Sequence, residues 1–257
     1  GKGAMKSSKG IAFTGVQWLE IAPPETLKFL VAKTKPLKHI DFDPQFGIID
    51  VIDQYDRAEK VYFGEEVPEI KEEAEEFKRS YELSQIKELP KELPFTLSYR
   101  FASVLVQILL DKGTRLQKTI EILRRTGHLT KVPTALELQK IQNRLEWAER
   151  WLKEYAPESA KFKLLETLTK DIKSQITAER KLALKELKHS LQAKDWTPIG
   201  LHNEFYRIAE QAGIKPQQLF EATYKVLTGR KFGPRLGWFL LSLDKSWLLK
   251  RLEEATN

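Results

Sequence analysis

The chain has 257 residues, of which 41% are hydrophobic, and its 6 Trp, 7 Tyr and 13 Phe exclude a disordered protein. It contains no Cys and only 4 His, which excludes a disulfide scaffold, a thiolate zinc site and a cysteine nucleophile, so we predict no metal site. The net charge of +7 favours an anionic partner, and the absence of a long apolar run or a signal peptide predicts a cytoplasmic protein without a membrane partner.

The first ten residues form a loop of Gly, Lys and Ser. Lys6, Ser7, Ser8 and Lys9 lie between Gly3 and Gly10. Glycines let the backbone approach a phosphate, while hydroxyls, amides and a mobile Lys supply donors and charge. The pattern differs from a Walker loop, and a solvated basic loop would show the same composition. Because such loops connect two ordered elements, we expect the chain to be the C-terminal portion of a larger protein.

Three helices are predicted next. Thr14 caps the first, Pro23 and Pro24 open the second, and residues 46–62 carry apolar side chains at helical spacing. Residues 38–44 are predicted as an extended connector.

An acidic stretch follows at residues 65–76, with seven Glu against one Lys. It is interpreted either as a solvated helix or linker, or as a flank that repels nucleic acid and so helps to orient it. Pro90 and Pro94 interrupt the pattern, and we place the domain junction at 65–94.

Helical patterns dominate the rest of the chain, so the fold class is predicted to be all-α. We expect a helix capped by Thr114, a long one from Thr134 to Tyr155, and another from Glu158 to about Leu191. Further helices are predicted to start at Thr197-Pro198 and Lys215-Pro216, and Gly213 and Gly229 are predicted to end helices.

Basic and aromatic residues alternate near the end of the sequence. Only Asp244 opposes the seven cations between residues 225 and 251, which are Lys225, Arg230, Lys231, Arg235, Lys245, Lys250 and Arg251. Phe232, Trp238, Phe239 and Trp247 lie among them. Such a segment is typical of RNA binding, where cations neutralise phosphates and rings stack on unpaired bases. The alternative is an ordinary helix core with an ordinary basic surface.

Two groups of residues resemble the class I lysyl-tRNA synthetase family, of archaeal type. The first is Met5-Lys6-Ser7-Ser8-Lys9-Gly10, similar to the KMSKS loop of class I synthetases, followed by Trp18-Leu19-Glu20, Pro23-Pro24-Glu25 and residues 38–44. The second is Lys215-Pro216, Leu219-Phe220, Tyr224, Val226-Leu227, Gly229, Gly233-Pro234-Arg235, Gly237 and Phe239. The loop departs from the motif because Ala4 stands where its first Lys is usual.

The resemblance implies a lysine–tRNA ligase that uses ATP, with Mg²⁺ in the full enzyme. The loop would close over ATP, with Lys6 and Lys9 as catalytic cations and Ser7, Ser8 and Gly10 as ATP-binding residues. No His lies in a His-x-Gly-His context, so this chain alone is expected neither to bind ATP nor to activate lysine.

The resemblance also implies a helical domain that binds the anticodon stem-loop of tRNA(Lys). Arg230, Lys231, Arg235 and Trp238 are the predicted anticodon-binding residues. The implied domains are residues 1–64 as loop and short helical connector, 65–94 as acidic linker or helix, and 95–257 as the anticodon-binding domain. An all-helical RNA-binding or interaction module without a synthetase role, and a fragment of the related glutamyl-tRNA synthetase, remain alternatives.

Overall fold

The structure is a computed structural model that describes residues 13–35, 37–40 and 42–257. Within these ranges the regular elements are helices, without a β-strand, and the predicted all-α class is confirmed. The α-helices are α1 Gly15–Ile21, α2 Pro24–Lys33, α3 Gly47–Tyr62, α4 Lys71–Ser84, α5 Tyr99–Ile108, α6 Lys112–Arg125, α7 Ala135–Glu154, α8 Lys170–Ser174, α9 Ala178–Ala193, α10 Pro198–Gln211, α11 Pro216–Thr228, α12 Leu236–Ser242 and α13 Lys245–Thr256. A short 3-10 helix covers Glu158–Ala160.

The helices form two compact units. Unit 1 comprises Gly1–Ser103 and Pro133–Pro157, and unit 2 comprises Val104–Val132 and Glu158–Asn257. The units are discontinuous in sequence because α7 packs on α1 within unit 1. The acidic stretch is part of this packing, since α4 lies against α2 and α3. The predicted division into residues 1–64, 65–94 and 95–257 stays a prediction.

Unit 1 is built around aromatic side chains. Phe29, Tyr55, Phe77 and Tyr81 form one buried cluster that joins α2, α3 and α4. Trp151 of α7 is buried as well, and its indole N–H donates to the carbonyl oxygen of Pro44 at 2.9 Å. Large buried rings of this kind fix how the helices pack.

The predicted starts of several helices are confirmed. Thr14 caps α1 and Thr134 caps α7, each through a capping box. Thr197 caps α10, and Pro198 occupies its first turn. Gly213 and Gly229 have φ of 66° and 73°, the left-handed backbone that ends a helix.

Two local predictions are wrong. Thr114 does not cap α6: Asp111 is the N-cap, and its carboxylate accepts from the N–H of Gly113 and the hydroxyl of Thr114. Residues 158–191 are not one helix either. Thr169 and Thr177 each cap a new helix, so the segment divides into the 3-10 turn, α8 and α9.

Unit 2 packs α9 against α13, and α10 against both α11 and α12. Its core contains Leu187, Phe205, Phe239 and Leu252, all fully buried. Buried Arg251 of α13 donates to the carbonyl oxygens of Leu165 and Glu166 at 2.6 and 2.9 Å, which ties the irregular segment before α8 to this core.

In the described part of the chain, no helix has the length and apolar character needed to cross a membrane.

Candidate nucleic-acid interface

The residues predicted to act on ATP, Lys6, Ser7, Ser8, Lys9 and Gly10, lie outside the described residues. The site that the structure describes is therefore the one predicted for RNA, in unit 2.

Charge is distributed very unequally between the two units. Unit 1 contains 19 Lys and Arg against 22 Asp and Glu, a net −3, while unit 2 contains 24 against 14, a net +10. The positive charge of the chain therefore belongs to unit 2, which is the unit suited to an anionic partner.

A groove of about 440 Å³ opens in unit 2 among α10, α11 and α12. Six of the side chains that line it are Ile199, His202, Phe220, Tyr224, Arg235 and Trp238. The groove is thus bordered by rings on α10 and α11 and by a guanidinium at the start of α12.

Close backbone contacts hold these helices in place. Gly237 lies so near α10 that a Cβ there would be 2.3 Å from the carbonyl oxygen of Pro198. Across the groove, the hydroxyl of Tyr224 donates to the carbonyl oxygen of Pro234. Burial raises the pKa of Tyr224 to about 12, so the phenol stays protonated and keeps donating at neutral pH.

The rings of the groove wall are arranged for stacking. His202 and Phe220 are nearly parallel, with 9° between their planes and 5.9 Å between centroids. Tyr206 meets both rings edge-on and is 47% exposed, and Ile199 is 72% exposed. Flat rings open to solvent can stack on an unpaired base.

Two of the four predicted anticodon-binding residues meet in this groove. Arg235 is exposed at the N-cap of α12. Trp238 is half-buried one turn later and stacks on His128, with 4.0 Å between ring centroids. Burial lowers the pKa of His128, so this imidazole is neutral at pH 7 and adds no charge beside the indole.

The other two predicted residues lie outside the groove lining. Arg230 donates from Nη1 to the carbonyl oxygen of Glu158 at 2.8 Å. Lys231 is exposed on the same turn between α11 and α12. Both belong to the positive surface of unit 2.

Sequence reasoning did not assign to the site the rings that complete the groove, His202, Phe220 and Tyr224, although Phe220 and Tyr224 belong to the residues that resemble the family. The available signal was a pair of aromatic residues four positions apart on α10, His202 and Tyr206, and a similar pair on α11, Phe220 and Tyr224. Residues so spaced share one helix face.

Unit 1 contains a polar cleft of about 330 Å³ with a different character. Buried Glu59 accepts hydrogen bonds from the hydroxyls of Tyr81 and Thr96 at 3.0 and 3.1 Å, and the ammonium of Lys140 lies 3.4 Å away. These partners satisfy the carboxylate, so we assign it a structural role.

An ion pair lies beside that network. Arg144 on α7 contacts Asp56 on α3 at 2.9 Å, and both side chains are largely buried. Burial raises the pKa of Asp56 to about 6, against the lowering effect of Arg144.

Comparison with known proteins gives two family matches. The family described as class I (K) tRNA synthetases matches residues 1–87, and the anticodon binding domain family matches residues 138–256. The second match contains all of α8 to α13, and therefore the groove.

Curated relatives match almost the whole chain. A protein of Methanosphaera stadtmanae named lysine–tRNA ligase is 36% identical, over 98% of this chain and 48% of the relative. Proteins of the same name from Methanocaldococcus jannaschii and Thermococcus kodakarensis are 35% and 34% identical, over 96% and 98% of this chain and 47% of each relative. The chain spans about half the length of the curated relatives it matches, and it belongs to the class I lysine–tRNA ligase family, with an anticodon-binding domain.

Proposed function

We propose that unit 2 binds the anticodon stem-loop of tRNA(Lys), and that the chain acts as the C-terminal part of a lysine–tRNA ligase. The observation that carries this proposal is the groove in which exposed His202 and half-buried Phe220 and Trp238 lie beside Arg235, inside the residues matched as an anticodon binding domain. The net charge of +10 on the same unit supports an RNA ligand.

The proposed binding uses two kinds of contact, one that positions the RNA hairpin and one that recognises its bases. The exposed cations of unit 2, Lys231 among them, neutralise phosphates and fix the register of the hairpin without reading its sequence. Unpaired bases enter the groove, where His202 and Phe220 offer ring faces and Trp238 forms part of the wall. Arg235 reaches either a phosphate or a base edge from the rim. The assignment of Arg230, Lys231, Arg235 and Trp238 to the anticodon remains part of this proposal.

The N-terminal loop contributes to a different step. Residues 1–87 match the class I (K) tRNA synthetase family, and the loop lies in that range. Lys6 and Lys9 supply positive charge where negative charge develops on the pyrophosphate as lysine becomes lysyl-adenylate. Ser7, Ser8 and Gly10 donate hydrogen bonds to the phosphates. ATP, as its magnesium complex, provides the adenylyl group in the full enzyme.

The chain alone is proposed to be inactive in lysine activation. None of its four His lies in a His-x-Gly-His sequence, so the second ATP-binding motif of class I enzymes is absent from these 257 residues. We expect no lysine-dependent ATP–pyrophosphate exchange from the chain by itself. Because the proposed role belongs to translation, we propose that the chain works in the cytoplasm.

The alternative functions of the chain predict different ligands. A general RNA-binding module would bind hairpins without regard to the anticodon, and a scaffold would bind none. A glutamyl-tRNA synthetase fragment would prefer the glutamate anticodon, whereas the relatives described above are named for lysine.

The test is a binding titration of the chain with the anticodon hairpin of tRNA(Lys) at two salt concentrations. The control ligand is the same hairpin with its second and third anticodon bases changed. We expect binding that weakens with salt and a further loss of at least about 10-fold for the changed hairpin, since each wrong base costs about 1–3 kcal/mol. Equal binding of both hairpins would reduce unit 2 to a general RNA binder, and no binding would overturn the proposal.

A further inference from the structure

We propose that Phe232 is a stacking platform for one unpaired nucleobase of the RNA that unit 2 binds. The inference rests on the proposed function and adds a base-contacting residue outside the groove. It arises from an exposed ring, a turn with both ends anchored, and the charges on either side of that ring.

Phe232 is unusual in its own unit because it is 63% exposed. The other four Phe residues of unit 2, Phe162, Phe205, Phe220 and Phe239, are buried or half-buried. Within the described part of the chain, the ring of Phe232 makes no ring–ring contact. Its packing therefore does not explain why a large ring stands at this position.

The turn that carries Phe232 is anchored on both sides. Before it, Gly229 ends α11 with φ 73°, and Arg230 donates to the carbonyl oxygen of Glu158 at 2.8 Å. After it, Gly233 lies against the ring of Tyr224, where a Cβ would come within 2.8 Å of Cε1. The Tyr224 hydroxyl then holds the carbonyl oxygen of Pro234.

This anchoring favours binding because little backbone freedom remains to be lost when a ligand stacks on Phe232. An exposed aromatic ring also has few rotatable bonds to order. A ring on an unanchored loop would lose more conformational entropy for the same contact.

The charges around Phe232 select a nucleobase rather than an apolar protein surface. Lys231 precedes the ring and Arg235 follows three residues later, both exposed. Neither side chain forms an ion pair within the residues that the structure describes. A nucleotide offers a flat base between two phosphates, which matches a ring between two cations. A hydrophobic protein partner would instead require apolar neighbours, and the remaining exposed residues of the turn are the glycines Gly229 and Gly233.

The experiment replaces the ring in the whole 257-residue chain and measures stacking directly. The ligands are tRNA(Lys) anticodon hairpins with 2-aminopurine placed at each unpaired loop position in turn, and the readouts are affinity and fluorescence quenching. Phe232→Ala removes the platform, and Phe232→Trp keeps a ring of larger area. Phe46→Ala is the matched control, because Phe46 is 56% exposed and belongs to unit 1.

For Phe232→Ala we expect affinity to fall between about 5-fold and 150-fold, with the loss of quenching at one loop position and an unchanged salt slope. Phe232→Trp and Phe46→Ala should bind like the parent chain. Wild-type affinity and quenching in Phe232→Ala would overturn the stacking role and leave the proposed function intact. Failure of the parent chain to bind any hairpin would overturn both.

Discussion

The two units differ in net charge and in where their main charged groups lie. Unit 1 carries −3 and buries charges in its interior, where Asp56 pairs with Arg144 and Glu59 is surrounded by donors. Unit 2 carries +10 and leaves cations and rings at its surface, around a groove and an anchored turn. The Asp56–Arg144 pair of unit 1 therefore serves the fold, as buried Arg251 does in unit 2, whereas exposed Lys231 and Arg235 of unit 2 are available to a ligand.

The largest effect should come from breaking the buried pair of unit 1. Arg144→Leu leaves Asp56 without its partner, and losses of about 3–5 kcal/mol are typical of such changes. The loss should be smaller at pH 5, where Asp56 is protonated. Calorimetry or urea unfolding measures it, with exposed Arg150 of the same helix as control, since Arg150→Leu should change stability by less than about 0.5 kcal/mol. Equal losses for both variants would contradict a structural role for the pair.

The same pair predicts a pH dependence of stability. Burial raises the pKa of Asp56 in the folded chain to about 6, against an ordinary pKa of 3.8. Folding therefore favours the protonated form, and the free energy of unfolding should fall as pH rises from about 4 to about 6, by up to roughly 3 kcal/mol. Asp56→Asn should flatten this part of the profile. If the free energy of unfolding of the parent chain instead rises between about pH 4 and about pH 6, Arg144 lowers the pKa of Asp56 more than burial raises it.

A substitution at the groove of unit 2 should affect both stability and binding. Gly237→Ala places a Cβ 2.3 Å from the Pro198 carbonyl oxygen, and forcing α10 and α12 apart should cost about 1–3 kcal/mol. Hairpin affinity should fall with it. Gly15→Ala is the control, because its Cβ would meet Leu27 at 3.9 Å and needs no rearrangement. If the destabilised Gly237→Ala chain binds the hairpin as tightly as the parent chain, the groove takes no part in RNA recognition.

The smallest effect is expected from the rim cation. Arg235→Ala should weaken hairpin binding by about 10-fold without loss of stability, because the side chain is exposed. A phosphate contact would lower the magnitude of the salt slope by about 0.7, and a base contact would relax anticodon discrimination instead. Exposed Arg79 of unit 1 provides the control variant. If Arg235→Ala changes neither property, Arg235 is not part of the site.

Local signals in the sequence predicted most helix boundaries. Helix caps and left-handed glycines depend on neighbours close in sequence. The sequence therefore predicted the N-caps Thr14 and Thr134 and the helix ends at Gly213 and Gly229. Thr114 was misassigned because Asp111, three residues earlier, is an equally good cap. The breaks at Thr169 and Thr177 were not predicted because Leu168, Ile172 and Ile176 continue a helical spacing of apolar residues across the first cap and up to the second.

The candidate site was predictable in part. Arg235 and Trp238 were found because they lie in one short segment with an excess of cations. His202 and Phe220 were missed because rings spaced for a helix face look alike whether they fill a core or line a groove. His202 and Phe220 lie near Arg235 because Gly237 contacts Pro198. These two residues are 39 positions apart in the sequence, so no local pattern predicts their contact.

Hydrogen exchange of the chain with and without the tRNA(Lys) anticodon hairpin tests the central contrast most directly. We predict added protection in α10, α11, α12 and the turn between α11 and α12, and unchanged exchange in α1 to α4 of unit 1. Protection confined to unit 1 on binding this hairpin would contradict the assignment of RNA recognition to unit 2.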